Sequence, residues 1–319
     1  MQENLAYSLT PEEVARQLQI TKNTVYELVK RGDLPAFRIG RKLRFDQQDV
    51  DIYKQTGKIA KNASLITPMQ PAAKSTAATF IGMEKRQDLV ICGQDIILDI
   101  LARHLERHTG GLKVWRNQIG SFDGLMALYH NTADMAAVHL WDGDSGKYNI
   151  AFARYILPGT PAVLIHLAMR MQGFYVKAGN PKNIQDWDDL IRPDIRFINR
   201  EKGSGTRVLL DEKFRHLGYD HFLIQGYERE ELSHLAVASA VARGDADAGL
   251  GNQKGAMQVR EIEFIPMQHE RYDLVIKKEA CGTAWYKTVM QIINSNEFMH
   301  EIKGLGDYDL SETGKIIEL

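Results

Sequence analysis

Apolar positions in the first fifty residues recur at helical spacing twice and then switch to alternation. Val14, Ala15 and Leu18 predict a first helix. Thr10 stands at its N-cap, Pro11 at its first position and Glu13 three residues after the cap, which completes a capping box. After the short turn Gln19-Ile20-Thr21, a second helix over 22–31 carries Val25, Leu28 and Val29 on one face, and Gly32 stops it. Two short helices joined so tightly predict a helix-turn-helix unit. Phe37, Ile39, Leu43 and Phe45 then alternate about a glycine turn, the pattern of a small hairpin or wing. Asp46 caps a third helix through Val50 and Tyr53.

Residues 56–86 lose this periodicity. They are rich in Ala, Ser, Thr and Lys, with Pro68 and Pro71, and predict a connector between folded units. Beyond it, short apolar strands alternate with helical patterns: Leu89–Cys92, then Ile97–Leu105; Lys113–Trp115, then the segment opened by Gly120-Ser121; Met135–Leu140; Arg196–Ile198, then Thr206–Leu217; and Leu235–Ala242 leading into Ala248–Leu250. Repeated βα units predict an α/β architecture with largely parallel sheets, and the length predicts two lobes. The domain limits expected are 1–58 for the helix-turn-helix, 59–86 for the linker and 87–319 for the α/β body.

Composition narrows the classes. The 319 residues are 44% hydrophobic and 25% charged, ordinary globular values that exclude disordered and fibrous chains. The net charge of -1 hides an asymmetry, since residues 1–62 hold a net +3 and the remainder a net -4. A basic head on an acidic body points to a nucleic-acid module joined to something else. Cys92 and Cys281 are far apart and form neither a metal motif nor a disulfide framework, so no cofactor is called for. The most apolar stretch, 160–176, contains His166 and Arg170 and is too short and polar for a bilayer span. With no secretory signal at the start of the sequence, a cytoplasmic location without membrane contact is expected.

If the apolar face of the second helix is buried, Lys22, Asn23, Thr24, Tyr26 and Lys30 remain free to meet phosphates or base edges in a major groove. The hairpin's other positions, Arg38, Arg41, Lys42 and Arg44, would meet neighbouring phosphates or the minor groove. The segment TPEEVARQLQITKNTVYELVKRGDLPAFRIGRKLRF resembles the excisionase-type DNA-binding domain related to the MerR regulators. That resemblance implies duplex DNA as a partner. One such head buries little DNA, so a homodimer on two half-sites is expected.

Three strand-to-helix junctions in the body are candidates for chemistry. The strongest is Asn199–Arg207, where Gly203 and Gly205 allow close backbone approach and the amides of Ser204, Gly205 and Thr206 converge at a helix start. A glycine-rich turn in which Ser204 or Thr206 only caps a helix explains the same residues. Gly120-Ser121 is a second such junction, and Gly93-Gln94-Asp95 a third, where Gln94 can donate and Asp95 is read as a cap. His139 and Tyr227 stand where they could line a cleft, and Arg200 and Arg207 add positive charge. His234 is read as structural.

The segments GSFDGLMALYHNTADMAAVHL, NREKGSGTRVLLDEKF, VARGDADAGLG and ERYDLVI resemble the periplasmic-binding-protein-like domain related to molybdate-binding proteins. The resemblance implies a type II two-lobed fold, a final helix completing the first lobe, and an interlobe site for a small anion, a molybdate- or tungstate-type oxyanion among them. Gln94-Asp95 departs from the hydroxyl residues usual in that family, and the arginines suggest a phosphate ester such as a molybdenum-cofactor-related one. The function expected is a ligand-responsive transcription regulator and not an enzyme. The alternative is an enzyme of cofactor biosynthesis on the same fold, for which the polar quartet Glu270-Arg271-Tyr272-Asp273 is the available chemistry.

Overall fold

The computed structural model describes residues 9–30, 34–39, 42–47, 49–51, 53–54 and 88–319. The chain divides into two compact units, Met1–Phe80 and Ile81–Leu319. The linker expected over 59–86, Gly32 and Arg41 lie outside the described residues.

In the first unit, α1 (Pro11–Leu18) begins as its sequence dictates. Thr10 Oγ1 accepts from the Glu13 amide, and Glu13 accepts from the Thr10 amide at 2.7 Å. Gln19 closes α1 in the left-handed region at φ 55°, which turns the chain at once into α2 (Lys22–Lys30). Thr21 Oγ1 caps α2 by accepting from the Thr24 amide at 3.2 Å. β1 (Phe37–Ile39) and β2 (Lys42–Arg44) pair antiparallel, with Phe37 opposite Arg44 and Ile39 opposite Lys42. Val14, Val25, Leu28, Leu34, Phe45 and Val50 form the core. Phe37 is an exception to the expected alternation: it is exposed.

The second unit runs β3 (Leu89–Cys92), α3 (Ile96–Thr109), β4 (Val114–Asn117), α4 (Ser121–Tyr129), β5 (Met135–Val138), the small pair β6 (Trp141–Asp142) and β7 (Lys147–Tyr148), α5 (Ile150–Ile156), β8 (Ala162–Lys177), β9 (Phe197–Arg200), α6 (Gly205–Leu217), β10 (Glu230–Glu231), α7 (His234–Arg243), β11 (Ala248–Asn252), α8 (Gln253–Ala256), β12 (Ile262–Lys277), α9 (Ala284–Ile293), α10 (Asn296–Leu305) and β13 (Ile316–Glu318). The strand order is β10-β9-β11-β8-β12-β5-β3-β4, with β13 added on β8.

The expectation of largely parallel sheets holds only at the two ends. β3, β4 and β5 are parallel to one another, as are β9, β10 and β11. Between them β8 and β12, each 16 residues long, are antiparallel to each other and to their other neighbours. Val163–Ala168 of β8 and Asp273–Ile276 of β12 belong to the first lobe, while Gln172–Val176 of β8 pairs with β11 in the second. The two strands therefore cross from lobe to lobe, with register shifts at Pro266/Gln268 and Tyr272/Asp273. Helices covering both faces explain why β8 reads as a continuous apolar run without alternation.

α9 and α10 pack Val289, Ile292, Phe298 and Ile302 against Ile97, Leu101 and Leu105 of α3, so the C-terminal helices complete the first lobe. No helix among the described residues is long and apolar enough to cross a membrane.

Candidate functional site

On the head, Lys22, Asn23, Thr24 and Tyr26 are exposed along α2 because Val25 and Leu28 take its inner face. Three of the four are engaged. The Lys22 ammonium pairs with Glu12 of α1 and lies 5.9 Å from the centre of the Tyr26 ring. The Thr24 hydroxyl is 2.8 Å from that of Thr21. An exposed ion pair of this kind contributes little, so a phosphate can compete for Lys22. Lys30 ends α2 and Arg38 sits in β1. Lys42 is exposed on β2, whereas Arg44 is half-buried and donates to the Leu43 carbonyl at 2.9 Å.

In the body, one end of the interlobe cleft is shut. Gly120, the N-cap of α4, lies so close to the Gly203 loop that a Cβ there would stand 2.6 Å from the Gly203 carbonyl oxygen. The Phe122 amide donates to that same oxygen at 3.0 Å. A Cβ on Gly205 would meet the His139 ring at 2.7 Å. Gly203 itself holds φ 86°, a left-handed conformation that glycine adopts without cost. Gln94 bridges the lobes on the other flank: it accepts from Arg200 Nη2 at 2.6 Å and donates to Glu201 Oε1 at 3.1 Å.

These contacts border a cavity of about 20 Å³. Of the candidate ligand residues, Gln94, Gly120, Ser121, His139, Arg200, Ser204 and Gly205 line it. The first turns of α4 and α6 open onto it from opposite lobes. First-turn amides have no intrahelical partner, and the helix dipole adds partial positive charge at each such end. Ser121 and Ser204 are buried, with Ser121 Oγ accepting from the His139 amide and Ser204 Oγ capping α6 through the Arg207 amide. The capping role and the cavity-lining role of Ser204 are thus both present.

The floor of the cavity comes from the crossing strands. Arg170 of β8 pairs with Asp95 and with Glu270 of β12, each at 2.5 Å, and its guanidinium stacks 3.9 Å from the Tyr272 ring centre. His139 Nδ1 lies 2.6 Å from the other Glu270 oxygen. Burial alone would raise the Glu270 pKa, but Arg170 and His139 outweigh it and hold the carboxyl at about 2. Burial, reinforced by Arg200, Arg170 and His139, pushes His234 well below the ordinary histidine value, so its imidazole is neutral at pH 7. His234 Nδ1, Arg170 Nε and the Tyr272 hydroxyl are buried without a hydrogen-bond partner among the described residues.

Four sequence-based expectations need correction. Thr206, Arg207 and Tyr227 do not line the cavity. The Arg207 guanidinium turns away, stacks 4.4 Å from the Tyr227 ring centre and pairs with Glu230, while the Tyr227 hydroxyl donates to Asp211 at 2.6 Å. Thr206 is buried with its hydroxyl lacking a partner among the described residues. Arg200 lines the cavity but is already neutralised by Glu201. A free arginine-rich cleft is therefore absent among the described residues, because each guanidinium is matched to a carboxylate.

Sequence reasoning also missed residues. Asp95 is more than a cap: besides accepting from the Ile97 amide it anchors Arg170 and the Tyr308 hydroxyl. Arg170, Asn252, Tyr272 and His234 line the cavity. An arginine inside the most apolar run and a glutamate in a return strand were the available signals. Their pairing requires knowing that the two strands are adjacent. Asp273, also in the polar quartet, belongs instead to a separate buried cluster with His166 at 2.8 Å and Asn149.

Comparison with known proteins agrees with this fold. The PBP superfamily domain matches residues 102–294, and a helix-turn-helix domain matches residues 8–58. An uncharacterized Bacillus subtilis protein, YvgK, is 40% identical over 317 residues, covering 98% of this chain and 99% of its own. A Clostridium pasteurianum protein encoded 5' of a 2Fe-2S ferredoxin gene is 59% identical over 110 residues, 34% of this chain and 97% of its own. Among solved structures, a Clostridium perfringens protein assigned as a phosphate ABC transporter substrate-binding protein, with bound phosphate, matches at a TM-score of 0.52 and 14% identity, covering 70% of this chain and 98% of its own. That similarity shows the type II periplasmic-binding fold alone.

Proposed function

The chain belongs to the PBP superfamily and carries a helix-turn-helix domain, and on that premise we propose that it is a DNA-binding regulator whose body senses a small anion. One observation carries the reading: the first turns of α4 and α6, from opposite lobes, face one small cavity lined in part by buried polar atoms that lack partners among the described residues. With both arginines neutralised by carboxylates, the attraction for an anion comes from backbone amides, helix dipoles and the two serine hydroxyls. At about 20 Å³ the cavity has room for little more than a water, so an anion enters an opened cleft and the lobes close on it. Candidate anions are molybdate or tungstate, or a phosphate ester of the molybdenum-cofactor kind. The protein acts as a binder rather than an enzyme, in the cytoplasm where its DNA is, and as a homodimer on a paired operator.

Ligand closure changes DNA binding only if the ligand favours one conformation, and such coupling is typically about 1–3 kcal/mol. The expected result is a change in operator affinity of roughly 5–150-fold on addition of the anion that binds. Calorimetry with molybdate, tungstate, sulfate, phosphate and phosphate esters identifies the binder, and DNA titration with and without it measures the coupling. A binder that leaves DNA affinity untouched overturns the sensor reading.

The head is expected to hold DNA largely through phosphates. Lys42→Ala with Arg44→Ala removes two cations from the hairpin, so affinity falls for all duplexes alike and the slope of log K against log salt becomes shallower by up to about 2. Gel shifts across a salt series check this, and their stoichiometry shows whether two chains occupy one operator. Unchanged affinity at every salt concentration would remove the hairpin from the interface.

A further inference from the structure

The cleft continues past the small inner cavity. On the side away from the Gly120–Gly203 contact, a second cavity of about 200 Å³ opens between the lobes, sharing Gln94, Asp95, His234 and Asn252 with the first. It is ten times larger, and its walls differ in character. Ile96 at the start of α3 and Leu235 in α7 are exposed at 44% and 45%, and Tyr308 stands beside them. Two large apolar side chains facing one groove from opposite lobes are unusual beside a site for a bare inorganic anion, whose hydration they do nothing to replace.

The closure is also one-sided. The Gly120–Gly203 and Gly205–His139 approaches leave no space for even a Cβ at one end, whereas the Ile96–Leu235 end stays open. For a group attached to an anion seated at the α4 and α6 first turns, this end is the roomier way out among the described residues. His234 stands at the junction, with a neutral imidazole whose Nδ1 has no partner among the described residues. It can hydrogen-bond the bridging atom of such a ligand without adding charge.

We propose that the ligand is an organic oxyanion ester, with its anionic group in the inner cavity and a ring-sized, partly apolar body in the outer cavity between Ile96 and Leu235. This rests on the anion-sensing reading above and narrows it, because a bare oxyanion would leave the outer cavity unused.

The test is calorimetry on the full chain with inorganic phosphate, methyl phosphate and phenyl phosphate. Methyl phosphate keeps the ester charge without the ring. Phenyl phosphate is expected to bind at least about tenfold tighter than methyl phosphate, from the apolar area the ring buries. Leu235→Trp and, independently, Ile96→Trp fill the outer cavity from exposed positions. Each should bring the phenyl-to-methyl ratio close to one while leaving methyl phosphate binding unchanged. A ratio near one in the unaltered protein, or a ratio that survives both substitutions, overturns the proposal. If inorganic oxyanions bind and no ester does, the proposal falls and the anion-sensing reading stands. If no anion of either panel binds, both fall.

Discussion

Gly120→Ala is expected to prevent full lobe closure and to lower anion affinity by roughly 30- to 1,000-fold. The added Cβ would stand 2.6 Å from the Gly203 carbonyl oxygen, 2.8 Å from its carbon and 2.9 Å from the Ser204 amide nitrogen. All three are backbone atoms of the loop that opens α6, so no flexible side chain can swing aside. Relief requires the lobes to part. The Phe122 amide then loses its bond to Gly203, and an anion seated on one lobe loses the donors of the other. A hydrogen bond to a charged group is worth about 1.5–3 kcal/mol, so loss of one or two costs about 1.5–6 kcal/mol, and the range stated, about 2–4 kcal/mol, is the middle of that span. Each lobe keeps its own core, so the melting temperature should barely move. Gly304→Ala is the control: nothing lies within 4 Å of its Cβ position in α10, and alanine there should leave anion binding alone while stabilising the helix by up to about 1 kcal/mol. Calorimetry of the two variants with the anion that binds the unaltered protein decides it. Equal affinities would mean that the cleft works without the Gly120–Gly203 approach.

Glu270→Gln is expected to destabilise the body by about 3–5 kcal/mol, because Arg170 would keep only Asp95 and His139 would lose its carboxylate partner in a buried place. For a unit of this size that corresponds to a fall of roughly 6–20 °C in its melting transition. Arg170→Met combined with Glu270→Gln should cost less than the two changes summed, since the stranded charge is then gone. The same pair sets an acid limit. The Glu270 carboxyl titrates at about 2 in the folded protein, against an ordinary value of 4.5. A depressed carboxylate contributes stability that is fully present above pH 4.5 and is lost as pH falls from 4.5 toward 2, here about 3 kcal/mol. Thermal melts from pH 7 to pH 2.5 should show the unaltered protein losing stability over that window more steeply than Glu270→Gln. Parallel curves for the two would place the acid sensitivity elsewhere.

Local order was legible in the amino-acid sequence wherever a few neighbouring residues decide it. The Thr10–Glu13 box, the Thr21 cap, the apolar faces of α1 and α2 and the β1–β2 hairpin are short-range facts. So are the strand-to-helix junctions at Gly93–Asp95, Gly120-Ser121 and Gly203–Gly205, each of which lines the cavity. What the sequence could not decide is which way a long side chain turns and which distant strands touch. Arg207 is two positions from the cavity-lining Gly205, yet the twist of α6 sends it to Tyr227 and Glu230. Arg170 and Glu270 are 100 positions apart and become a pair only because β8 and β12 run antiparallel from lobe to lobe. By itself the sequence determined a basic helix-turn-helix head and an α/β body with glycine-rich strand-to-helix loops, because caps, glycines and periodicity act within one turn of chain. Only the tertiary structure decided that the arginines are already neutralised, that the cleft is sealed at one end and open at the other, and that His234, whose Nδ1 has no partner among the described residues, stands between two cavities. Those are properties of surfaces brought together from both lobes, and no single segment contains them.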